Sequence, residues 1–597
     1  MKKKAGKSAK FVARCFRAAT IFSVVALITS NEILPSASAD PTPRKILSGW
    51  IPYYGMSTSL PTAVANADLI REVMPFWYTL KLKSKTNVPY ILDLYTPGNP
   101  SVAIDVPLAT MRNAGFQIIP TITDGTDKLV LAKLLAKSSD RASIIKPIVD
   151  LVLSMNFDGI DLDFEGFAFV DGTTSWPTTK PNWVLFVKEL SEALHAKGKL
   201  LSITSPVHFA PTEKQKGYTV YAWAEIAQYI DRLRIMTYDY STSKPGPIGP
   251  IAWAERTVNY AISVMPAAKV YLGLAGYGRD WVTKVDGICP DNVAKVISPT
   301  AKAATFIMRN ANTLATTYGA VPTYNEEYQE ATFSYQKTYN GNNVSGQATT
   351  CTATRVAWYQ NPASYLARAQ LVAKYRLGGL AEWTMGMEEQ AATDGIRATA
   401  LSIAPDEVLL SLTTDQISTK YGSPINLTAL ATLKDKSPLP ALALHLEFKG
   451  FDEATWREIG NPITSDTGTF LTGLYLAKSG KLRVRSDGSW ERGEGLSAEV
   501  AITINPRLSV SAPTSGKAGQ PIKVLTSASP VLPEMTVTLQ RFDGKVWVNL
   551  ISAPLLASGT ELATTELIRG VFSYRIVVLS SADSAQATSS SFVVLVR

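Results

Sequence analysis

From about residue 45 to residue 400, short apolar runs alternate with longer stretches in which apolar residues recur every three or four positions. The short runs have the length of buried β-strands, and the longer stretches have the period of amphipathic helices. Eight strand-like runs can be counted, at residues 46–54, 73–80, 117–123, 159–165, 200–205, 233–239, 270–277 and 379–384. Strands that alternate with helices predict a parallel sheet, and eight such units predict an α/β fold, the (β/α)₈ TIM barrel.

The seventh and eighth runs are separated by about 80 additional residues that contain Cys289 and Cys351. Strand-like segments begin at Ala331 and Arg355, so we expect a small α+β insertion at about residues 282–360. In an oxidising compartment the two cysteines would pair. Closing a loop of roughly 62 residues would contribute about 4 kcal/mol in the chain-entropy model.

After residue 404 the helical period disappears and Thr, Ser, Val and Leu dominate, with turn residues about every ten positions. This composition predicts β-sandwiches, and similar segments recur at offsets of 91 to 97 residues. We therefore expect two immunoglobulin-like domains, at residues 404–505 and 506–597. Trp456 and Trp547 occupy equivalent positions in the repeat; a core position is the more common place for Trp, and a sugar-stacking surface is the alternative.

Seven basic residues lie between Lys2 and Arg17. An apolar stretch follows from about Ala18 to Ile28, and Ala37-x-Ala39 comes after it. This arrangement predicts a secretory signal peptide, residues 1–39, and an extracellular protein that is either released or associated with the cell wall. Removing seven bases and one acid lowers the formal charge from +9 to +3, so the basic composition does not indicate nucleic-acid binding. No later stretch is apolar for long enough to span a bilayer.

The most unusual segment of the barrel region is Asp158-Gly-Ile-Asp-Leu-Asp-Phe-Glu165, an apolar run that carries four carboxylates. In a strand, Asp161, Asp163 and Glu165 would point to one face and the intervening apolar residues to the other. Neighbouring carboxylates on that face would be about 7 Å apart, so at least one should hold a proton near neutral pH. A general acid is therefore predicted here.

The alternative interpretation is a calcium loop or a solvated acidic turn, but the alternating apolar residues are typical of a buried strand. The chain contains only three histidines, His195, His208 and His445, and Cys289 and Cys351 are expected to pair. A Cys/His zinc site and a Ser-His-Asp triad are therefore not expected. We expect carboxylate chemistry that uses neither a metal nor a cofactor.

The segment resembles the signature of family 18 glycoside hydrolases, Asp-x-x-Asp-x-Asp-x-Glu at the end of the fourth barrel strand. Asp158, Asp161, Asp163 and Glu165 fill its positions. The resemblance extends from residue 45 to about residue 395. Its other matches are Gly49-Trp-Ile-Pro-Tyr-Tyr54, Met236-Thr-Tyr-Asp-Tyr240, Tyr277-Gly-Arg279 and Trp383.

By this resemblance, Glu165 protonates the leaving glycosidic oxygen and later activates water, while the 2-acetamido oxygen of the sugar acts as the nucleophile. Asp163 would orient the acetamido group with help from the hydroxyl of Tyr238. Asp161 would share a proton with Asp163 and help to keep Glu165 protonated. Asp158 is out of phase with the other three, so a structural role is expected for it.

The resemblance also implies substrate contacts at the ends of other strands. The residues expected to make them are Tyr53, Trp77, Met236, Asp239, Tyr277, Arg279 and Trp383. Trp383 would form the floor of the sugar site by stacking. Plain alternatives exist: aromatic residues at strand ends are often core residues, and Asp239 with Arg279 could form a surface salt bridge.

The third strand has Pro120-Thr-Ile-Thr-Asp-Gly125 where chitinases have Ser-x-Gly-Gly. With Pro75-Phe-Trp-Tyr78 on the second strand, this is more similar to the bacterial branch associated with peptidoglycan and spore-wall sugars. We therefore expect a retaining hydrolase of β-1,4-linked N-acetylglucosamine (GlcNAc) polymers, either chitin-like or peptidoglycan glycan. The alternatives are an endoglycosidase acting on N-glycans and a non-catalytic GlcNAc-binding lectin. The C-terminal repeats could contact cell wall or insoluble glycan.

Overall fold

The protein is described from a computed structural model that covers residues 42–597 except residues 580, 582 and 583. The predicted signal peptide lies outside the described residues. Up to residue 404 the strands are β1 (Leu47–Pro52), β2 (Ile70–Leu82), β3 (Pro89–Asp93), β4 (Gln117–Ile118), β5 (Thr121–Asp124), β6 (Gly159–Asp163), β7 (Leu200–Pro206), β8 (Arg232–Met236), β9 (Val270–Ala275), β10 (Tyr277–Gly287), β11 (Ala304–Ile307), β12 (Thr323–Asn325), β13 (Glu330–Asn342), β14 (Ala348–Tyr359) and β15 (Gly379–Trp383).

The same region also contains α-helices. They are α1 (Met56–Ala65), α2 (Tyr95–Gly98), α3 (Asp105–Asn113), α4 (Val130–Leu135), α5 (Ser138–Ser154), α6 (Trp176–His195), α7 (Trp223–Ile226), α8 (Ile251–Val264), α9 (Asp291–Ala294), α10 (Ala311–Thr317), α11 (Pro362–Tyr375) and α12 (Gln390–Ser402). Within the described part of the chain, no helix has both the length and the apolar character needed to cross a membrane.

Eight parallel strands close into a barrel in the order β1-β2-β5-β6-β7-β8-β9-β15, and β15 pairs with β1. The predicted TIM barrel is therefore confirmed. The third run is divided into β4 and β5 at Pro120, which cannot donate a ladder hydrogen bond. The fourth strand ends earlier than predicted, at Asp163, so Glu165 lies two residues beyond it.

The predicted insertion is a five-stranded antiparallel sheet in the order β11-β10-β14-β13-β12, and it begins at Tyr277. A disulfide joins Cys289 and Cys351. The buried Glu330 of β13 fastens the sheet to the barrel, because its carboxylate accepts hydrogen bonds from the backbone of Gly249 at 2.8 Å and from Arg368 Nη2 at 2.9 Å. The insertion is thus held firmly at the carboxyl ends of the barrel strands.

Beyond residue 404 the described elements are strands. They are β16 (Val408–Thr414), β17 (Ser418–Lys420), β18 (Ile425–Leu433), β19 (His445–Gly450), β20 (Arg457–Gly460), β21 (Thr469–Leu474), β22 (Gly480–Ser486), β23 (Gly495–Leu496), β24 (Val500–Asn505), β25 (Arg507–Ser511), β26 (Ser515–Gly516), β27 (Pro521–Ser529), β28 (Thr536–Phe542), β29 (Trp547–Pro554), β30 (Thr560–Thr565), β31 (Gly570–Val578), β32 (Ala587–Thr588) and β33 (Phe592–Val596).

These strands form two successive sandwiches with the same topology. Sheets β16-β18-β21 and β17-β24-β22-β19-β20 enclose one apolar core, and sheets β25-β27-β30 and β26-β33-β31-β28-β29 enclose another. Each strand of the first sandwich corresponds to the strand nine places later in the chain. The internal repeat inferred from the sequence is therefore confirmed.

The equivalent tryptophans of the repeat do not belong to either core, contrary to the more common position that we expected for them. Trp456, directly before β20, and Trp547, the first residue of β29, are both partly exposed. The Arg483 guanidinium lies 4.1 Å from the Trp456 ring centre, and that of Arg575 lies 4.4 Å from the Trp547 ring centre. The long arginine side chains cover the indole rings, so stacking with a cation replaces burial in the core.

Candidate active site

Strand alternation places the carboxylate of Asp161 inside the barrel, while Ile160 and Leu162 are fully buried on the opposite, helix-facing side. Asp161 accepts hydrogen bonds from the hydroxyls of Thr121 at 2.9 Å, Ser202 at 2.5 Å and Thr204 at 2.9 and 3.1 Å. Both carboxylate oxygens are therefore satisfied by hydroxyl donors. Asp161 is a buried and fully hydrogen-bonded side chain beneath the site.

A buried arginine completes this polar barrel interior. Arg234 of β8 is inaccessible to solvent; its Nη1 lies 3.7 Å from Asp161 Oδ1, and its Nη2 pairs with Glu72 of β2. Glu72 also accepts a hydrogen bond from Arg232 Nε at 3.1 Å. The positive charge of Arg234 thus lies between two buried carboxylates, which need such a partner in a low-dielectric interior.

Asp163 and Glu165 form a hydrogen-bonded carboxyl pair above Asp161. Burial raises the pKa of Asp163 well above its usual range, and the charges of Glu165 and Asp161 and the hydrogen bond to Glu165 raise it further. Burial and then the charge of Asp239 raise the pKa of Glu165, while the hydrogen bond with Asp163 lowers it. These directions keep a proton on the coupled pair of Asp163 and Glu165 near neutral pH, and the proton expected to be shared between Asp161 and Asp163 stays a prediction.

One acceptor in this pair remains available. The Oδ1 atom of Asp163 is buried and has no hydrogen-bond partner among the described residues. An unpaired buried acceptor is costly unless a ligand supplies a donor, and the N–H of an acetamido group is such a donor. Asp163 can thus receive a substrate amide while its neighbour Glu165 transfers a proton.

The backbone that carries Glu165 is held at three points. Glu165 begins a single π-helical turn, Gly166–Val170, and its carbonyl accepts hydrogen bonds from two amides of that turn, both at 3.0 Å. The carbonyl of Phe164 accepts a hydrogen bond from the Tyr221 hydroxyl at 2.7 Å. A Cβ on Gly166 would lie 2.3 Å from Asp124 Oδ2, so a larger residue here would have to displace the Asp124 carboxylate.

Tyr238, Asp239, Tyr277 and Arg279 lie together on the other side of the pair. Burial raises the pKa of Tyr238 well above its usual range, with further contributions from Tyr277 and Asp163, so its hydroxyl remains a donor. Asp239 accepts hydrogen bonds from the Tyr277 hydroxyl and from Arg279 Nε, the latter at 3.0 Å. Because the charge of Asp239 also raises the pKa of Glu165, this ion pair is part of the site's electrostatics and not only a surface contact.

Trp383 ends β15 over a layer of aromatic residues at the top of the barrel interior. Its ring centre lies 4.9 Å from that of Phe76 and 5.8 Å from that of Trp50, both edge-on. Trp50 is itself fixed by a hydrogen bond from its Nε1 to Thr121 Oγ1 at 3.0 Å. Trp383 is partly exposed, so it can present an indole surface to a ligand above it.

The remaining predicted contacts differ in accessibility. Tyr53 is partly exposed in a 3₁₀ turn after β1, and Met236 is partly exposed at the end of β8. Trp77 is fully buried and packs on Tyr95, with ring centres 4.5 Å apart. The prediction that Trp77 contacts substrate is therefore wrong, because it points towards the helices while Phe76 points into the barrel.

Asp158, for which a structural role was expected, accepts a hydrogen bond from the backbone amide of Ile118 at 2.7 Å. This bond ties the start of β6 to the end of β4. Sequence reasoning missed Tyr221, whose hydroxyl holds the backbone directly before Glu165, because Tyr221 does not belong to the acidic motif.

Comparison with known proteins decides the family. Residues 106–388 match the model of the glycosyl hydrolases family 18, and this range contains the acidic motif and its neighbours. This barrel belongs to glycosyl hydrolase family 18. The two β-sandwiches lie outside the matched range.

Individual relatives are distant. The chain is 23% identical over 257 residues to the cortical fragment-lytic enzyme of Bacillus subtilis, an alignment that covers 42% of this chain and 52% of that enzyme. It is 31% identical over 200 residues to chitinase A1 of Niallia circulans, covering 28% and 27% of the two chains. A crystal structure of a chitinase from Chromobacterium violaceum has 22% identity and a TM-score of 0.47, covering 60% of this chain and 99% of that one. The chain thus spans about half the length of the Bacillus relative.

Proposed function

We propose that this protein is a secreted, retaining glycoside hydrolase that cleaves β-1,4-linked N-acetylglucosamine polymers, either chitin-like or peptidoglycan glycan. The observation that carries the proposal is the pair of Asp163 and Glu165: the pKa values of both are raised, and Asp163 Oδ1 is a buried acceptor with no hydrogen-bond partner in the described part of the chain. Both residues lie within the part of the barrel that matches the family 18 model. Secretion is proposed from the basic and apolar N-terminal sequence, and a disulfide agrees with an oxidising compartment.

The proposed reaction uses the substrate's own amide. Protonated Glu165 gives its proton to the glycosidic oxygen as the bond to the anomeric carbon breaks, and the acetamido oxygen closes onto that carbon from the opposite face. Asp163 accepts the amide N–H and stabilises the positive oxazolinium, while Tyr238 donates to the acetamido group. Glu165, now a carboxylate, then takes a proton from water, which opens the ring and restores the original configuration.

A substrate panel tests this proposal. Chitin oligomers, peptidoglycan and a glycopeptide with a chitobiose core are incubated with the native chain and with Glu165→Gln. We expect cleavage of one of the two wall polymers and a loss of about 10²- to 10⁴-fold in the variant, the usual contribution of a general acid. Glu192→Gln, an exposed side chain on α6, is the matched control and should retain the native rate.

The panel also separates the alternatives. Preferential cleavage of the glycopeptide would indicate an endoglycosidase for N-glycans, and binding without cleavage would indicate a lectin. An unchanged rate in Glu165→Gln would exclude this residue as the proton donor. A chain that ends just after α12 tests whether the sandwiches contact cell wall or insoluble glycan, because retained binding by that chain would make them spacers.

A further inference from the structure

A second pair of buried carboxyl groups lies at the end of β15. Glu382 directly precedes Trp383, and strand alternation turns its side chain towards α11, where the Tyr365 hydroxyl donates to Glu382 Oε1 at 2.9 Å. Glu388 follows the turn after β15 and is also buried. Its carboxyl group is within hydrogen-bond reach of the Glu382 carboxyl group. The reaction described above uses neither of these two side chains.

The pair has room for one negative charge and one proton. Glu382 Oε2 is buried, and no N–H or hydroxyl group among the described residues donates to it. Two adjacent carboxylates repel each other in a low-dielectric interior, whereas one proton between them makes a charge-assisted hydrogen bond. Burial and then the charge of Glu388 raise the pKa of Glu382 well above its usual range, and burial raises the pKa of Glu388. The pair therefore keeps a proton near neutral pH and loses it as the pH rises.

The groups around the pair favour this singly charged state. Burial and then the charge of Glu382 raise the pKa of Tyr365 well above its usual range, so its hydroxyl remains a donor, although the charge of Arg368 on the same helix opposes the shift. Arg309, from the insertion, lowers the pKa of Glu388 by its charge, and its guanidinium donates to the carbonyl of Gly386. Its positive charge thus balances the one negative charge of the pair.

The two carboxyl groups lie on either side of Trp383 along the chain. Glu382 comes one residue before the tryptophan and Glu388 five residues after it, so a bond between their side chains closes residues 383–387 into a short loop. The carbonyl of Trp383 also accepts a hydrogen bond from the amide of Gly276 at 2.8 Å. The backbone that sets the direction of the indole is therefore fixed from the barrel on one side and by the carboxyl pair on the other.

We propose that Glu382 and Glu388 are positioning residues, and that the proton they share closes the turn that carries Trp383 and fixes its indole for stacking with a sugar. The proposal rests on the proposed function, in which Trp383 contacts the substrate. Loss of the proton leaves two buried carboxylates that repel each other, so the turn should loosen and substrate binding should weaken at alkaline pH.

Binding to a Glu165→Gln chain tests the proposal, because this variant cleaves slowly and its residue 165 cannot titrate. Calorimetry gives the Kd of chitotetraose or of a GlcNAc–MurNAc tetrasaccharide, whichever the native chain cleaves, at neutral and at alkaline pH. Glu388→Gln and Glu388→Ala are added separately to this background chain. Glu389→Gln is the matched control, since it changes the partly exposed carboxyl group of the next residue.

The two changes at Glu388 should have different effects. Glu388→Gln keeps a donor for Glu382 but cannot ionise, so its Kd should stay within about 2-fold of the background at neutral pH and rise less at alkaline pH. Glu388→Ala should raise Kd about 3- to 10-fold at neutral pH, the contribution of an aromatic contact. In a chain that also carries Trp383→Ala, the same change should add less than about 2-fold, because Glu388 acts through Trp383. Glu389→Gln should match the background at both pH values.

Two results would overturn the proposal. An equal change of Kd with pH in Glu388→Gln and in the background would show that no shared proton controls binding, and this comparison decides even where Glu388→Ala does not fold. An equal effect of Glu388→Ala with and without Trp383 would mean that the pair only supports the fold. Both results leave the proposed function unaffected. A native chain that cleaves neither oligosaccharide contradicts the proposed function, and this inference with it.

Discussion

The substitution Tyr221→Phe isolates one hydrogen bond that positions the general acid. The Tyr221 hydroxyl donates to the carbonyl of Phe164 at 2.7 Å, directly before Glu165. Burial raises the pKa of Tyr221 well above its usual range, so the hydroxyl keeps its proton and remains a donor. A phenylalanine would retain the packing on Phe167, whose ring centre is 5.1 Å away, and remove only the donor.

The expected cost follows from the burial of both partners. Tyr221 is inaccessible to solvent, so the carbonyl of Phe164 loses this donor and water cannot readily replace it. Leaving a buried acceptor unsatisfied costs about 1 to 3 kcal/mol in stability. If the released carbonyl lets the turn that carries Glu165 move, kcat/KM should fall at least about 5-fold, the factor that corresponds to about 1 kcal/mol.

Chemical denaturation and kcat/KM on the cleaved glycan should be measured on the same preparations. Tyr574→Phe is a matched control, because the buried Tyr574 hydroxyl donates to Glu566 Oε1 at 2.8 Å in the second sandwich, far along the chain from the site. The control should lose stability and keep its native kcat/KM. A Tyr221→Phe variant with reduced stability and native kcat/KM would refute the argument that this bond positions the acid.

Three further results are expected. Asp239→Asn should move the basic limb of the kcat/KM profile to lower pH, because the charge of Asp239 raises the pKa of Glu165 and activity is lost as pH rises through that pKa; an unmoved limb would contradict this. Arg234→Met should lower the free energy of unfolding by about 3 to 5 kcal/mol, since Glu72 and Asp161 lose a buried cation; a loss below about 1 kcal/mol in denaturation would argue against that role. Reduction of the Cys289–Cys351 disulfide should lower the free energy of unfolding by about 4 kcal/mol, because the disulfide closes a loop of 62 residues. Proteolysis of the insertion should then become faster, and an unchanged rate of proteolysis would contradict this expectation.

Periodicity was sufficient to predict the barrel and the inward orientation of Asp161, because strand alternation is a local property of the backbone. It failed where the strand was irregular or ended. The pairing of β2 with β5 shifts register between Phe76 and Tyr78, and Trp77 points outward there. Glu165 lies beyond β6 in a helical backbone conformation, so its position next to Asp163 depends on a turn and not on alternation.

The rest of the site depends on contacts between distant segments. The Tyr221 hydroxyl reaches the carbonyl of Phe164 from the loop after β7, more than fifty positions along the chain, and no motif marks it. The partial exposure of Trp547 could not be predicted either, because it depends on Arg575 of another strand covering its ring. Such pairings become visible only when tertiary structure brings the segments together.

A comparison of two leaving groups in Glu165→Gln tests most directly whether Glu165 is the proton donor. The glycosidic bond of chitotetraose, or of a GlcNAc–MurNAc tetrasaccharide, needs a proton on its leaving oxygen, whereas 2,4-dinitrophenolate leaves without one. We expect the variant to lose about 10²- to 10⁴-fold in rate on the cleaved oligosaccharide and less than about 10-fold in the release of dinitrophenolate from its chitobioside. Equal losses on both substrates, or no loss on the oligosaccharide, would contradict the assignment of Glu165 as the proton donor.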